Sequence, residues 1–242
     1  IAGTIPYFMG HEGGEVSQEK AFVNTLEGLD LSNPPRIMPY DANSIKNIAQ
    51  DAPDNGFTIT ILPAGSDVHA EYAENAPSYN NMFFSPLIGW IAGNHLEQAD
   101  AKPHVGFGPV NMLMADKAIA MHVSLPENQF ANINIVNLFE QGSGPSISFE
   151  TTGFSTSDCL IDGKPEKFSE YLQNNNIDTR LPLVADYNGV NINVSIKELL
   201  NDSVEFYAPI FQNVKYQFAD PITDYVTDLD KAIASHQLPE TS

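Results

Sequence analysis

The chain has 242 residues, 42% hydrophobic and 17% charged, the balance of a globular protein with a sizeable core and not of a disordered one. With 31 acidic against 11 basic residues the net charge is −20, a field that repels nucleic acids and anionic membrane surfaces. The single cysteine, Cys159, excludes an internal disulfide and a thiol-based zinc site and fits a reducing cytoplasm, and no apolar run approaches the roughly 20 residues of a membrane span.

In chain order, Ile1–Phe8 is apolar, His11-Glu12-Gly13-Gly14-Glu15 reads as a turn, and Lys20 to Leu26 as a second strand. The start at Ile1, without Met, predicts upstream residues. Asp41 is placed to cap a short helix carrying Ile45, Ile48 and Ala49. Asp54-Asn55-Gly56 turns into the alternating strand Phe57–Leu62. Ser66 should cap a helix of about ten residues, with Val68 and Tyr72 inward, that stops before Pro77.

Ser85–His95 holds the one tryptophan, Trp90, and reads as a short buried strand leading into a tight turn. Asp116–Leu125, Asn132–Phe139 and Ser146–Phe149 are further strand candidates. Cys159–Ile161 runs into the turn Asp162-Gly163. Pro165 suits a first helical position, with Phe168, Tyr171 and Leu172 as the apolar stripe. Asn188-Gly189, between Leu183–Tyr187 and Val190–Ile196, is the two-residue hairpin signal. Val204–Tyr207 and Val214–Phe218 extend it as a meander. Asp220-Pro221 should start a last helix whose Ile222, Tyr225, Val226, Leu229 and Ile233 pack on a sheet.

Ile1-Ala2-Gly3 recurs as Ile91-Ala92-Gly93, and two further matches follow in the same order. The expected fold is therefore mixed α/β: two duplicated β-rich halves, 1–84 and 85–150, and a C-terminal part, 151–242, with an antiparallel sheet and a packing helix, all within one domain. The motifs Ile1–Phe8, Leu87–Gly93, Gly153-Phe154-Ser155 with Asp158-Cys159, and Leu181–Tyr187 resemble a bacterial family of uncharacterised proteins, over most of the chain. Members of that family carry residues before the segment matching Ile1. The resemblance brings no function with it. Leu87–Gly93 and the duplicated plan also resemble, distantly, the FIST sensory domains, which implies ligand binding in signalling.

For chemistry, Cys159 beside Asp158 is the candidate nucleophile, with His122 or His69 as its base, but a small core residue explains it better. His122 lies in an apolar strand, where a satisfied core histidine is the default. His11-Glu12-Gly13-Gly14-Glu15 lacks the second histidine of a zinc helix, and its paired glycines oppose a helix. His69 fits a helix cap; His95 and His104 flank the loop 96–103, and either is a candidate for metal or heme ligation. No metal site is assigned, and the cofactor is left unknown. The sequence contains no phosphate loop, dinucleotide fingerprint or nucleophile elbow.

The leading expectation is a cytoplasmic ligand-binding or sensory module without catalysis of its own. Its small-molecule pocket would lie near Tyr7, Phe8, Gly89, Trp90, Gly93 and His95. The alternatives are a hydrolase or transferase using Cys159, and a structural subunit of a homo-oligomer. No nucleic-acid partner and no membrane span are expected.

Overall fold

Phe57–Leu62 forms the spine of a sheet, as its alternation predicts. A computed structural model of the chain describes residues 1–235 apart from 11, 12, 30, 31, 96, 99, 188 and 189. The fold is mixed α and β, and the chain divides into two compact units, Ile1–Ile133 and Asn134–Ser242.

The first unit contains β1 (Ala2–Gly3), β2 (Tyr7–Gly10), β3 (Gly13–Val16), β4 (Arg36–Tyr40), β5 (Gly56–Pro63), α1 (Asp67–Asn75), β6 (Leu87–Ala92), β7 (Val105–Phe107), β8 (Met112–Met114) and β9 (Ala118–Ser124). Its main sheet has the order β4-β9-β5-β6. Strand β9 runs antiparallel to β4 and β5, while β6 runs parallel to β5. Side chains alternate across this sheet. One face carries Tyr40, Leu62, Ala118 and Ala120, which pack with Ile45, Ile48 and Val68. The other carries Ile61, Ala92 and Ile119, which pack with Val105. The small sheet β1-β7-β8 supplies that second cover.

Local signals explain most of these elements. Asp41 accepts from the amides of Asn43 and Ser44 and opens a single 3₁₀ turn, Ile45–Asn47. Ser66 Oγ accepts from the His69 amide at 3.2 Å, so the cap of α1 is where the sequence puts it. Val68 is buried beneath the helix and Tyr72 half-buried. Two expectations fail here. Lys20–Leu26 is no strand: Phe22, Val23 and Leu26 stay exposed, and the partner of β2 is instead Gly13–Val16. The strand in Ser85–His95 exists, but as an edge. Ile88, Trp90 and Ile91 are exposed, and among the described residues one side of β6 has no neighbouring strand.

The second unit contains β10 (Ile147–Ser148), β11 (Gly153–Thr156), β12 (Asp158–Ile161), β13 (Lys164–Lys167), α2 (Phe168–Asn174), β14 (Leu183–Tyr187), β15 (Val190–Val194), β16 (Ile196–Leu199), β17 (Val204–Ile210), β18 (Lys215–Phe218) and α3 (Tyr225–Ser235). Its larger sheet runs β13-β12-β10-β18-β14-β15 and its smaller one β11-β17-β16. Phe149, Phe168, Phe206 and Tyr216 meet in the core, with ring centroids 5.4–6.1 Å from Phe149 to the other three. Tyr187 pairs with Val190, as a two-residue hairpin requires; the Asn188-Gly189 turn itself lies outside the described residues.

Four expectations need correction. Asn132–Phe139 forms no strand: Asn137 spends its side chain on the Asn191 carbonyl and the Asn193 amide group instead. Pro165 is not a helix start. It sits in β13, the edge strand, opposite Leu160, where its missing N–H costs no ladder bond. The meander is broken, because β17 joins one sheet and β18 inserts between β10 and β14 of the other. The last helix begins at Tyr225, with Asp224 accepting from the Thr227 amide, so Asp220-Pro221 is not its start. That helix buries no residue: Leu229 is half-exposed and Ile233 is 55% exposed.

The repeated tripeptides both end strands, but with different neighbours. Gly3 ends β1, antiparallel to β7, and Ala92 ends β6, parallel to β5. These pairings do not confirm the duplication. No helix among the described residues is long and apolar enough to cross a membrane.

Candidate functional site

The two tripeptides meet. Thr4 donates its amide to the His104 carbonyl and accepts from the Gly93 amide, both at 2.9 Å. Its hydroxyl also accepts from the His104 amide at 3.1 Å. This clips the N-terminal strap to the end of β6 and to the segment before β7. Gly3 lies so close that a Cβ there would be 2.7 Å from Ile61 Cγ2 and 3.3 Å from Trp90 Nε1. Gly89 is equally constrained, since a Cβ would overlap the Thr60 carbonyl oxygen. Gly93 has open space around it, so its glycine answers no close approach.

Around this clip stand the residues expected to bind a ligand. The Tyr7 and His95 rings lie 5.4 Å apart. His95 Nδ1 accepts from the Glu97 amide, which puts the proton of the neutral ring on Nε2. Trp90 is 39% and Tyr7 40% exposed. Phe8 turns to Phe22 instead, with centroids 5.9 Å apart. The strap thus brings Tyr7 to His95 and Gly3 to Trp90, and its backbone to Gly93. Phe8 belongs to a separate ring pair, and Gly89 serves the sheet.

A second constellation was not visible as a unit in the sequence. Arg36, His122 and Thr58 lie in one row across β4, β9 and β5, and so on one face. His122 is buried. Its Nδ1 is 2.8 Å from Thr58 Oγ1 and its Nε2 is 2.9 Å from the Tyr40 hydroxyl. That hydroxyl donates to Asp51 Oδ2 at 2.9 Å. The carboxylate only accepts, so the single Tyr40 proton goes to Asp51. Tyr40 must then accept from His122 Nε2–H, and Nδ1 accepts from Thr58. The proton order runs Thr58 to His122 to Tyr40 to Asp51. Burial, helped by the nearby Arg36 cation and opposed by Asp51, pulls the His122 pKa down and keeps the ring neutral. Burial and the Asp51 carboxylate push the Tyr40 phenol well up.

Over this row lies a cleft of about 380 Å³, lined by Arg36, Asp51, Asp54, His122 and Ser124, with Asn33 and Gln50 at its side. Arg36 donates to the Asp51 backbone carbonyl, not to a carboxylate. A neighbouring cleft, of about 500 Å³, meets it at Gln50 and is bounded by Lys46, Glu71 and Tyr79. Within it Glu71 accepts from Asn75 and Tyr79.

The candidate catalytic pair is not assembled as a nucleophile and base. Cys159 is buried in the core of the second unit, and its thiol donates to the Glu166 carbonyl at 3.7 Å. Burial, with Glu166 and Asp158 adding to it, pushes the thiol up to about 12, away from the thiolate. His122 has both nitrogens occupied in the first unit. His69 serves the start of α1, where its Nδ1 accepts from the Gly65 amide at 3.3 Å. His11 and Glu12 of the zinc-like motif lie outside the described residues. Among the described residues no group of three or more His, Cys, Asp or Glu side chains is arranged to hold a metal ion.

No curated protein and no solved structure matches the chain. A family match spans residues 1–242, and on it the chain belongs to the Family of unknown function (DUF6976).

Proposed function

We propose that the chain is a cytoplasmic ligand-binding module without catalysis of its own, and that its ligand is a small aromatic molecule bound at the N-terminal strap. One observation carries this reading: Tyr7, His95 and Trp90 are held half-open around a backbone clip, while the candidate nucleophile Cys159 is sealed in a core. Aromatic rings fixed by rigid backbone offer large contact area at low entropic cost. The net charge of −20 favours a ligand that also carries a positive charge, which a ring face attracts. The one buried thiol is compatible with a reducing compartment.

Trp90 is the one tryptophan, so a fluorotryptophan at this position gives a single reporter. Its fluorine resonance should move saturably as phenethylammonium is added. In Tyr7→Ala the midpoint should rise at least tenfold, about 1.4 kcal/mol of affinity. A resonance that does not move, or moves identically in the variant, removes the strap as a site.

A further inference from the structure

The cleft above His122 holds a cation and two anions that do not pair with one another. Arg36 reaches the Asp51 backbone oxygen, and neither Asp51 nor Asp54 forms an ion pair with it among the described residues. Asp51 is aimed from behind: Tyr40 occupies Oδ2, and Oδ1 has no hydrogen bond among the described residues. Tyr40 is in turn fixed by His122, and His122 by Thr58. The floor is therefore rigid and its proton order set. At the rim, the Asp54 and Ser124 side chains also have no hydrogen bond among the described residues. A hydrogen-bonded floor, open charges of both signs and a volume of about 380 Å³, within the roughly 300–1,000 Å³ of ligand clefts, give a small polar ligand room and partners.

Charge selects the ligand class. A net charge of −20 repels a simple anion before it reaches Arg36. A simple cation would meet the carboxylates but would leave Arg36 facing it. A zwitterion has no net charge to be repelled and satisfies both signs at once. We propose that this cleft binds a free α-amino acid, whose carboxylate pairs with Arg36 and whose ammonium group sits at Asp51 and Asp54. A guanidinium suits a carboxylate because its N–H groups fork onto both oxygens. The proposal does not depend on the aromatic surface at the strap, because Trp90 and His122 project from opposite faces of the sheet.

The test is isothermal titration of the purified chain with each of the proteinogenic amino acids. At least one should bind saturably at micromolar to low millimolar concentration. Its N-acetyl derivative and its methyl ester, which each lose one charge, should bind at least tenfold more weakly. Arg36→Gln and Asp54→Asn should weaken binding to a similar degree. Both side chains are exposed, so circular dichroism should show the fold retained, and Arg36→Lys should recover part of the affinity. The Trp90 fluorine resonance should stay still throughout. No saturable heat with any amino acid, or equal binding of the acetylated and esterified forms, overturns the proposal. So does unchanged affinity in both folded variants. A response confined to Trp90 would overturn it while leaving the strap reading intact.

Discussion

In the second unit Phe149 sits among Phe168, Phe206 and Tyr216, and the residues around them are almost all apolar. The first unit buries aliphatic side chains too, but threads Thr58, Thr60 and His122 through the same sheet. The two interiors fail differently. A ring cluster loses contacts in proportion to the volume removed. A hydrogen-bonded chain is cooperative, and one deletion leaves its neighbour without a partner. No buried side-chain polar atom among the described residues lacks a partner, so the chain in the first unit is complete as it stands. Completeness of that kind fixes Asp51 at the edge of a cleft, a task that a greasy core cannot perform.

The contrast is broken most directly in the ring cluster. Phe168→Ala should cost about 3–5 kcal/mol, read as a lower urea midpoint by circular dichroism. An unchanged midpoint would mean that the rings are not the core of the unit. In the other interior Tyr40→Phe keeps the volume but removes the donor to Asp51 and the acceptor for His122. Its expected cost is about 1–3 kcal/mol in the transition seen by Trp90 emission. A neutral result would mean that the chain of hydrogen bonds is replaceable by packing.

Acid should sharpen the same difference. Burial lowers the pKa of His122, and of His69, in the folded chain. Below an unfolded-state value of about 6.5 the unfolded chain therefore binds protons that the folded chain refuses. Stability should be flat above about pH 7 and fall from about pH 6.5 downward, before most carboxylates titrate near 4. His122→Gln should flatten that fall by removing one of its two sources. An equally steep fall in the variant would assign it elsewhere.

The smallest effects lie outside both interiors' critical groups. Cys159→Ala should cost about 1 kcal/mol, the loss of one small buried group, and the native thiol should label slowly. Rapid labelling would contradict its burial. Leu229→Ala should change stability by less than about 0.5 kcal/mol, because α3 buries nothing. A drop in solution mass on that substitution would instead identify the helix as a subunit contact.

Local signals were legible where a few adjacent residues settle the matter. Ser66 and its three-residue reach to His69 define the start of α1, and Asp41 orders the turn that leads through Ser44 into the 3₁₀ turn. Leu183–Tyr187 and Val190–Val194 pair in the register that a two-residue turn imposes. Errors arose where the partner decides. Leu87–Ala92 has the composition of a buried strand, but among the described residues no strand joins its outer edge. Pro165 looks like a helix start until Leu160 is found opposite it. Asp220-Pro221 and Asp224 offer rival starts for α3, and the Thr227 amide goes to Asp224. The chain of polar groups was illegible for another reason. Tyr40 and His122 are 82 positions apart, and Thr58 and His122 are 64 apart. Each alone looks like an ordinary strand residue, and sheet order brings them into contact. Trp90, Tyr7 and His95 were legible as residue types, but only the clip at Thr4 relates them.

That clip also dictates an order of events during synthesis. Thr4 waits for His104, 100 residues later, before its hydroxyl has a partner. At roughly 5–20 residues per second the ribosome needs several seconds to deliver it. Until then β1 has no β7, and the second cover of the main sheet cannot close. The β2–β3 hairpin needs only its own neighbours and can pair at once. The segment that carries Thr4 thus stays undocked until late in the synthesis of its unit, with β8 and β9 still to follow, and its docking closes a long loop whose entropy must be repaid in a single step.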